Sequence, residues 1–137
     1  MTETVSPLSA IEEIRQKLQR YPGVQVTTTP TAITALPVSA DGFPVRLDEH
    51  GETYTVSFAG WHEEFDSLEE ARSCFAFGLS EACRLRVVSR GSFAYRWIVQ
   101  HFKDGDWHDD SETGLLVFPF WRRRHERYLQ NHVTPGI

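Results

Sequence analysis

Gly114–Tyr128 reads GLLVFPFWRRRHERY. The most apolar run of the chain, Leu115 to Trp121, passes without a spacer into three consecutive arginines. Five apolar or aromatic residues between Leu115 and Phe120 predict a strand. Pro119 lacks an N–H and confines that strand to an edge or an end of a sheet. Beyond it, Trp121, His125, Tyr128 and His132 recur at helical spacing, which predicts a short C-terminal helix with Arg122, Arg123, Arg124 and Arg127 on its other faces. An extended reading is also open, with Phe118, Phe120, Arg122 and Arg124 on one side.

Working back from this stretch, Asp109 to Thr113 is polar and reads as loop. Lys103-Asp104-Gly105-Asp106 is a hairpin turn, because Asp-Gly favours type I′. Before it, Tyr95, Trp97 and Val99 alternate with Arg96, Ile98 and Gln100, and Arg84-Leu85-Arg86-Val87 alternates in the same way. Between 66 and 82 the period changes. Asp66 or Ser67 caps a helix, Glu69 and Glu70 lie in its first turn, and Leu68, Ala71, Phe75, Leu79 and Ala82 form an inner stripe that leaves Phe77 on the opposite side.

Further back lies a hairpin, Val45–Asp48 with Thr53–Phe58, whose second strand continues through Trp61–Phe65 past a bulge at Gly60. Short strands are expected at 24–29 and 32–36. An amphipathic helix from Pro7 to Tyr21 carries Leu8, Ile11, Ile14, Leu18 and Tyr21 on one stripe, is opened by Ser6-Pro7 and is stopped by Pro22-Gly23.

These elements predict an α+β fold in a single domain over 1–137, with about 1–5 and 133–137 frayed. A mostly antiparallel sheet of about five to seven strands packs against two amphipathic helices, and a short helix closes the chain. The order helix, strands, helix, strands, terminal helix resembles that of small acidic dimeric chaperone domains such as those of type III secretion, and that resemblance implies a dimer.

The chain has 137 residues and a net charge of −5. Residues 1–70 hold 4 basic and 12 acidic side chains, and residues 71–137 hold 10 basic and 7 acidic. The halves can offset one another within one fold, or the basic half can face an acidic partner. The first residues lack the basic start and apolar run of a signal peptide, and no run approaches the roughly 18 apolar residues of a membrane helix. A soluble cytoplasmic protein is expected, with no membrane partner. Cys74 and Cys83, both placed on the second helix, would lie on opposite sides of it, too far apart to bridge, and are read as reduced.

Chemistry has few places to sit. Gly78-Leu79-Ser80-Glu81-Ala82 approaches G-x-S-x-G but falls inside a helix, where that motif does not work. No phosphate-binding loop is present, and no cofactor is expected. His62 and Glu64 share one side of a strand and, with His108 and Asp109, make the best cluster for a metal or small ligand. A small-ligand or metal-assisted enzyme centred on Trp61, His62 and Glu64 is therefore one reading. Aromatic and arginine residues interleave in the second half, as in surfaces that stack single-stranded nucleic acid and in protein interfaces. The acidic chain and scarce lysine weigh against nucleic acid. The leading expectation is a non-enzymatic protein-interaction domain, or a self-associating one that forms a homodimer. Its surface would comprise Trp121, Arg122, Arg123, Arg124, Arg127 and Tyr128, with Phe77 as a further candidate.

Overall fold

The computed structural model describes residues 9–134. In chain order they form α1 (Ala10–Leu18), β1 (Val26–Thr29), β2 (Ala32–Ala35), β3 (Val45–His50), β4 (Thr53–Phe58), β5 (Trp61–Phe65), α2 (Leu68–Leu79), β6 (Cys83–Arg90), β7 (Phe93–Lys103), β8 (Asp106–Gly114) and β9 (Arg124–Leu129). The fold is α+β, with two helices and antiparallel strands. The strands make two sheets, ordered β1-β2-β3-β4-β5 and β8-β7-β6-β9, rather than the one expected.

The division has a local cause. The expected bulge at Gly60 is a tight reversal at Ala59-Gly60, with Ala59 at φ 52°, so β5 folds back antiparallel on β4. Glycine follows Ala59 because a Cβ at position 60 would overlap the Trp97 ring. The edges of the two sheets then meet through side chains instead of a shared ladder. Trp61 Nε1 donates to Ser111 Oγ at 3.1 Å, and the His62 N–H donates to Thr113 Oγ1 at 3.2 Å.

Both helices begin at a serine. Ser9 accepts from the Glu12 N–H, and Ser67 accepts from the Glu70 N–H, the capping-box residue. The expected Ser6-Pro7 start and Leu8 lie outside the described residues. At its other end α2 stops short of the expected Ala82. Ser80 is extended there, and its hydroxyl donates to the Phe77 carbonyl. Cys83 is therefore the first residue of β6, not a helical residue, and both cysteines are free. One apolar cluster joins Ile11, Ile14 and Leu18 of α1, Ala71, Phe75 and Leu79 of α2, and residues of both sheets, among them Phe58, Trp61, Leu85 and Val99.

The largest corrections fall in the last third. Asp109 to Thr113 is not loop but part of β8, which bonds β7 and lies at an edge of its sheet. Polar composition misleads there because neither face of an edge strand has to be apolar. Leu115 to Phe120 is not a strand. It belongs to a loop that carries the chain from β8 at one edge of the sheet to β9 at the other. The expected helix after Trp121 is instead β9, paired antiparallel with β6 from Arg124↔Arg90 to Leu129↔Leu85. The terminal helix of the resembling element order is thus absent from the described residues.

Candidate interaction surface

The outer face of the four-stranded sheet carries charge and aromatic rings. Strand alternation puts Arg84, Arg86 and Val88 there from β6, Arg96, Ile98 and Gln100 from β7, and Arg124, Glu126 and Tyr128 from β9. On β8 an extra residue, Asp110, enters the register between the Ser111↔Val99 and Asp109↔Gln100 pairs. This bulge lets Ser111 turn inward to Trp61 while Asp109 turns outward to Gln100.

The charges of this face are spent on one another. The Arg84 guanidinium lies between two rings, 4.5 Å from Trp107 and 4.2 Å from Tyr128. Its Nε donates to Gln100, whose amide donates to Asp109 at 2.7 Å. Arg96 pairs with Glu112, and Glu126 accepts from Arg86 and from Arg124 at 2.9 Å. The hydrogen bond from Arg96 holds the Glu112 carboxyl below the usual carboxylate range, and the bond from Arg86 does the same for Glu126. A hollow of about 180 Å³ beside this network is lined by Arg86, Arg96, Ile98, Asp109, Ser111 and Glu112. Arg86, Arg96 and Arg124 are thus ion-paired with Glu112 and Glu126, while Arg84 is held by two rings and Gln100.

The crossing loop runs over one end of this face. The Leu115 N–H bonds the Tyr95 carbonyl, and Phe118 stacks on the Tyr95 ring with centroids 4.1 Å apart. Phe118 thereby covers an outer apolar spot of Val88, Tyr95 and Ile98. A turn closes from Pro119 to Arg122. Arg122 packs over Gly91 in the β6–β7 turn, where φ is +60° and a side chain would be both strained and crowded. With Phe118 alone tucked in, the other large side chains splay outward. Leu116 is 97% exposed, Val117 85%, Phe120 70% and Trp121 72%. Phe120 and Trp121 meet edge to face, 5.4 Å apart.

Of the residues singled out from sequence, Trp121, Arg122, Arg123 and Arg124 are consecutive along this loop and the start of β9. Arg127 and Tyr128 follow on the same strand and are also exposed. Phe77 lies apart. It packs edge to face on His101, 5.3 Å away, and His101 is eight residues along β7 from Phe93, a span of about 26 Å. Leu116, Val117 and Phe120, which the sequence places in a strand, are instead on the surface. The Arg84–Trp107–Tyr128 sandwich joins residues from three strands, and no local pattern signals it.

The residues of the enzyme reading are not brought together. Trp61 is buried against Phe58. His62 bonds Thr113, five residues along β8 from His108, or about 16 Å. His108 and Asp109 turn to opposite faces of β8, and Glu64 remains exposed on β5. Among the described residues no three His, Cys, Asp or Glu side chains group as a metal would require. Ser80 spends its hydroxyl on the Phe77 carbonyl and the Ala82 N–H. No helix among the described residues is long and apolar enough to cross a membrane. The chain matches no protein-family model, no curated protein and no solved structure.

Proposed function

We propose that this chain is a protein-interaction domain that works by binding rather than catalysis, and that its contact surface is the crossing loop together with β9. The observation that carries this reading is the outward display of Leu116, Val117, Phe120 and Trp121 beside a run of arginines. Scattered exposed apolar residues are ordinary, but four large ones within six positions, two of them in ring contact, are a concentration of the kind that marks interaction sites. Fully burying one such side chain contributes about 1.5–3 kcal/mol, against about 0.2–1 kcal/mol for an exposed ion pair. The apolar residues are therefore the anchors, and the arginines supply orientation and encounter rate. Self-association belongs to the same reading, with a second copy as the partner.

The test compares the native chain with a variant carrying Leu116→Ser, Val117→Ser, Phe120→Ser and Trp121→Ser. Size-exclusion chromatography of gently lysed producing cells should show the native chain in an assembly well above 15.7 kDa. The variant should elute at monomer mass with an unchanged melting curve. A native chain that always elutes as a monomer, or a variant that stays in the assembly, would overturn the reading.

A further inference from the structure

We infer that the partner is an acidic chain segment that docks in extended form along the free edge of β9, with an apolar side chain set against Phe120 and Trp121. This rests on the interaction reading above and names the partner's chemistry.

The free edge follows from the ladder. β9 pairs with β6 and with no other strand. The Gly91 N–H bonds the Arg123 carbonyl at 2.8 Å, which fixes the phase of the antiparallel pairing. Residues 125, 127 and 129 therefore turn their backbone groups toward β6. Arg124, Glu126 and Tyr128 turn theirs away, and among the described residues no backbone or side-chain group bonds them there. The next outward group, the Gln130 N–H, is taken by the Asp41 carbonyl at 2.8 Å. The open edge is thus three outward residues long. It is bounded by the Asp41 loop at one end and by the Pro119–Arg122 turn, which carries Phe120 and Trp121, at the other, and it fits one short added strand.

Charge selects the occupant. Residues 122–127 hold four arginines and one glutamate, and that glutamate is already engaged by Arg86 and Arg124. Among the described residues Arg122, Arg123 and Arg127 have no carboxylate within ion-pair distance. A second copy of β9 is a poor match for this edge. Antiparallel pairing in phase and centred on His125 opposes Arg123 and Arg127 twice, and its two Arg124–Glu126 pairs draw on a glutamate that Arg86 and Arg124 already engage within each copy. Centring on Glu126 opposes two glutamates, and centring on Arg127 opposes two arginines. Like charges directly opposite one another destabilise a sheet. The outward groups also include both N–H donors and C=O acceptors. A bilayer interior satisfies neither, and a phosphate backbone offers oxygen acceptors but no amide donors. An extended acidic polypeptide satisfies all of them.

The test uses a fluorescein-labelled synthetic peptide that alternates glutamate and valine around a central phenylalanine. Controls are the same peptide with lysine for glutamate, the same peptide N-methylated at alternate amides, oligo-thymidine, and phosphatidylserine vesicles. Anisotropy should show the acidic peptide binding at least tenfold more tightly than the lysine peptide and the N-methylated peptide. A variant with Arg123→Glu and Arg127→Glu should reverse the charge preference while its melting curve stays in place. Bound peptide should slow amide exchange at Arg124, Glu126 and Tyr128 at least tenfold. Equal binding of the acidic and lysine peptides overturns the inference, and so does indifference to N-methylation. Tighter binding to vesicles or oligo-thymidine overturns it too, and assigns the surface to lipid or nucleic acid. If the peptide fails while the serine variant still leaves its assembly, only this inference falls. If the native chain also proves monomeric in cells, the interaction reading falls with it.

Discussion

Asn131 is buried and spends both ends of its side-chain amide on distant backbone. Its Oδ1 accepts from the Phe43 N–H and its Nδ2 donates to the Gly78 carbonyl, each at 2.9 Å. This latch ties the segment after β9 to the end of α2 and to the loop before β3. Asn131→Ala leaves a buried donor and acceptor unmatched, and urea unfolding should show a loss of about 2–4 kcal/mol. Asn131→Asp, which turns an oxygen onto the Gly78 carbonyl, should not recover it. Gly78 poses a different contest. Alanine would gain about 1 kcal/mol of helix propensity, but its Cβ would overlap the Phe58 ring, which is held between Phe43 and Trp61. Overpacking costs about 1–3 kcal/mol, so Gly78→Ala should lower the melting temperature rather than raise it. The cysteines give a pH signature. Burial, with Glu63 and Asp110 adding to it, pushes the Cys74 thiol up to about 12, and burial pushes Cys83 up as well. An unfolded thiol ionises near 8.5, so above that pH the unfolded chain binds fewer protons than the native one. Stability from these groups is complete below about pH 8.5 and falls as pH rises toward 12, by up to about 1.4 kcal/mol per pH unit for each thiol. Unfolding curves between pH 8 and 10.5 should therefore decline more steeply for the native chain than for a variant with Cys74→Ala and Cys83→Ala.

At the scale of elements, the crossing loop separates covering from display. Phe118→Ala uncovers Val88, Tyr95 and Ile98 and should cost about 1–2 kcal/mol. Leu116→Ser with Val117→Ser should change stability by less than about 0.5 kcal/mol, because neither side chain is in the fold's interior. Equal losses in the two variants would contradict this division. The same stretch explains what was legible in the sequence. α2, the β3–β4 hairpin and the Asp104-Gly105 turn were readable because cap, period and turn chemistry agree within a few residues. Both turn residues indeed have positive φ, 55° and 79°. The Leu115–Phe120 run is apolar yet mostly exposed, because it has to cross from one edge of the sheet to the other, so apolarity alone does not signal burial there. Arg122–Tyr128 fits helical and extended spacing alike, and pairing with β6, some forty residues away, decides between them. Arginine and aromatic interleaving is visible in the sequence for Trp121–Arg124, but nothing local reveals which rings clamp Arg84.

At the scale of the whole molecule, the acidic and basic halves do not simply cancel. Arg86, Arg96 and Arg124 find carboxylates at Glu126 and Glu112, all within the second half. Only Arg72, bonded to Glu13 at 3.0 Å, joins a basic residue of the second half to an acidic one of the first among the described ion pairs. Of the arginines after Trp121, Arg124 is paired with Glu126, while Arg122, Arg123 and Arg127 have no carboxylate within ion-pair distance among the described residues. The two sheets share one apolar cluster, so tryptophan fluorescence and far-ultraviolet circular dichroism should report a single coincident unfolding transition. Site-specific photo-crosslinking in the producing cells tests most directly whether the crossing loop is a binding surface. With benzoylphenylalanine in place of Phe120, illumination should yield a discrete protein adduct, whereas the same group at exposed Glu69 on α2 should yield none. No adduct at 120, or the same adducts from both positions, would contradict the assignment of this loop as a binding surface.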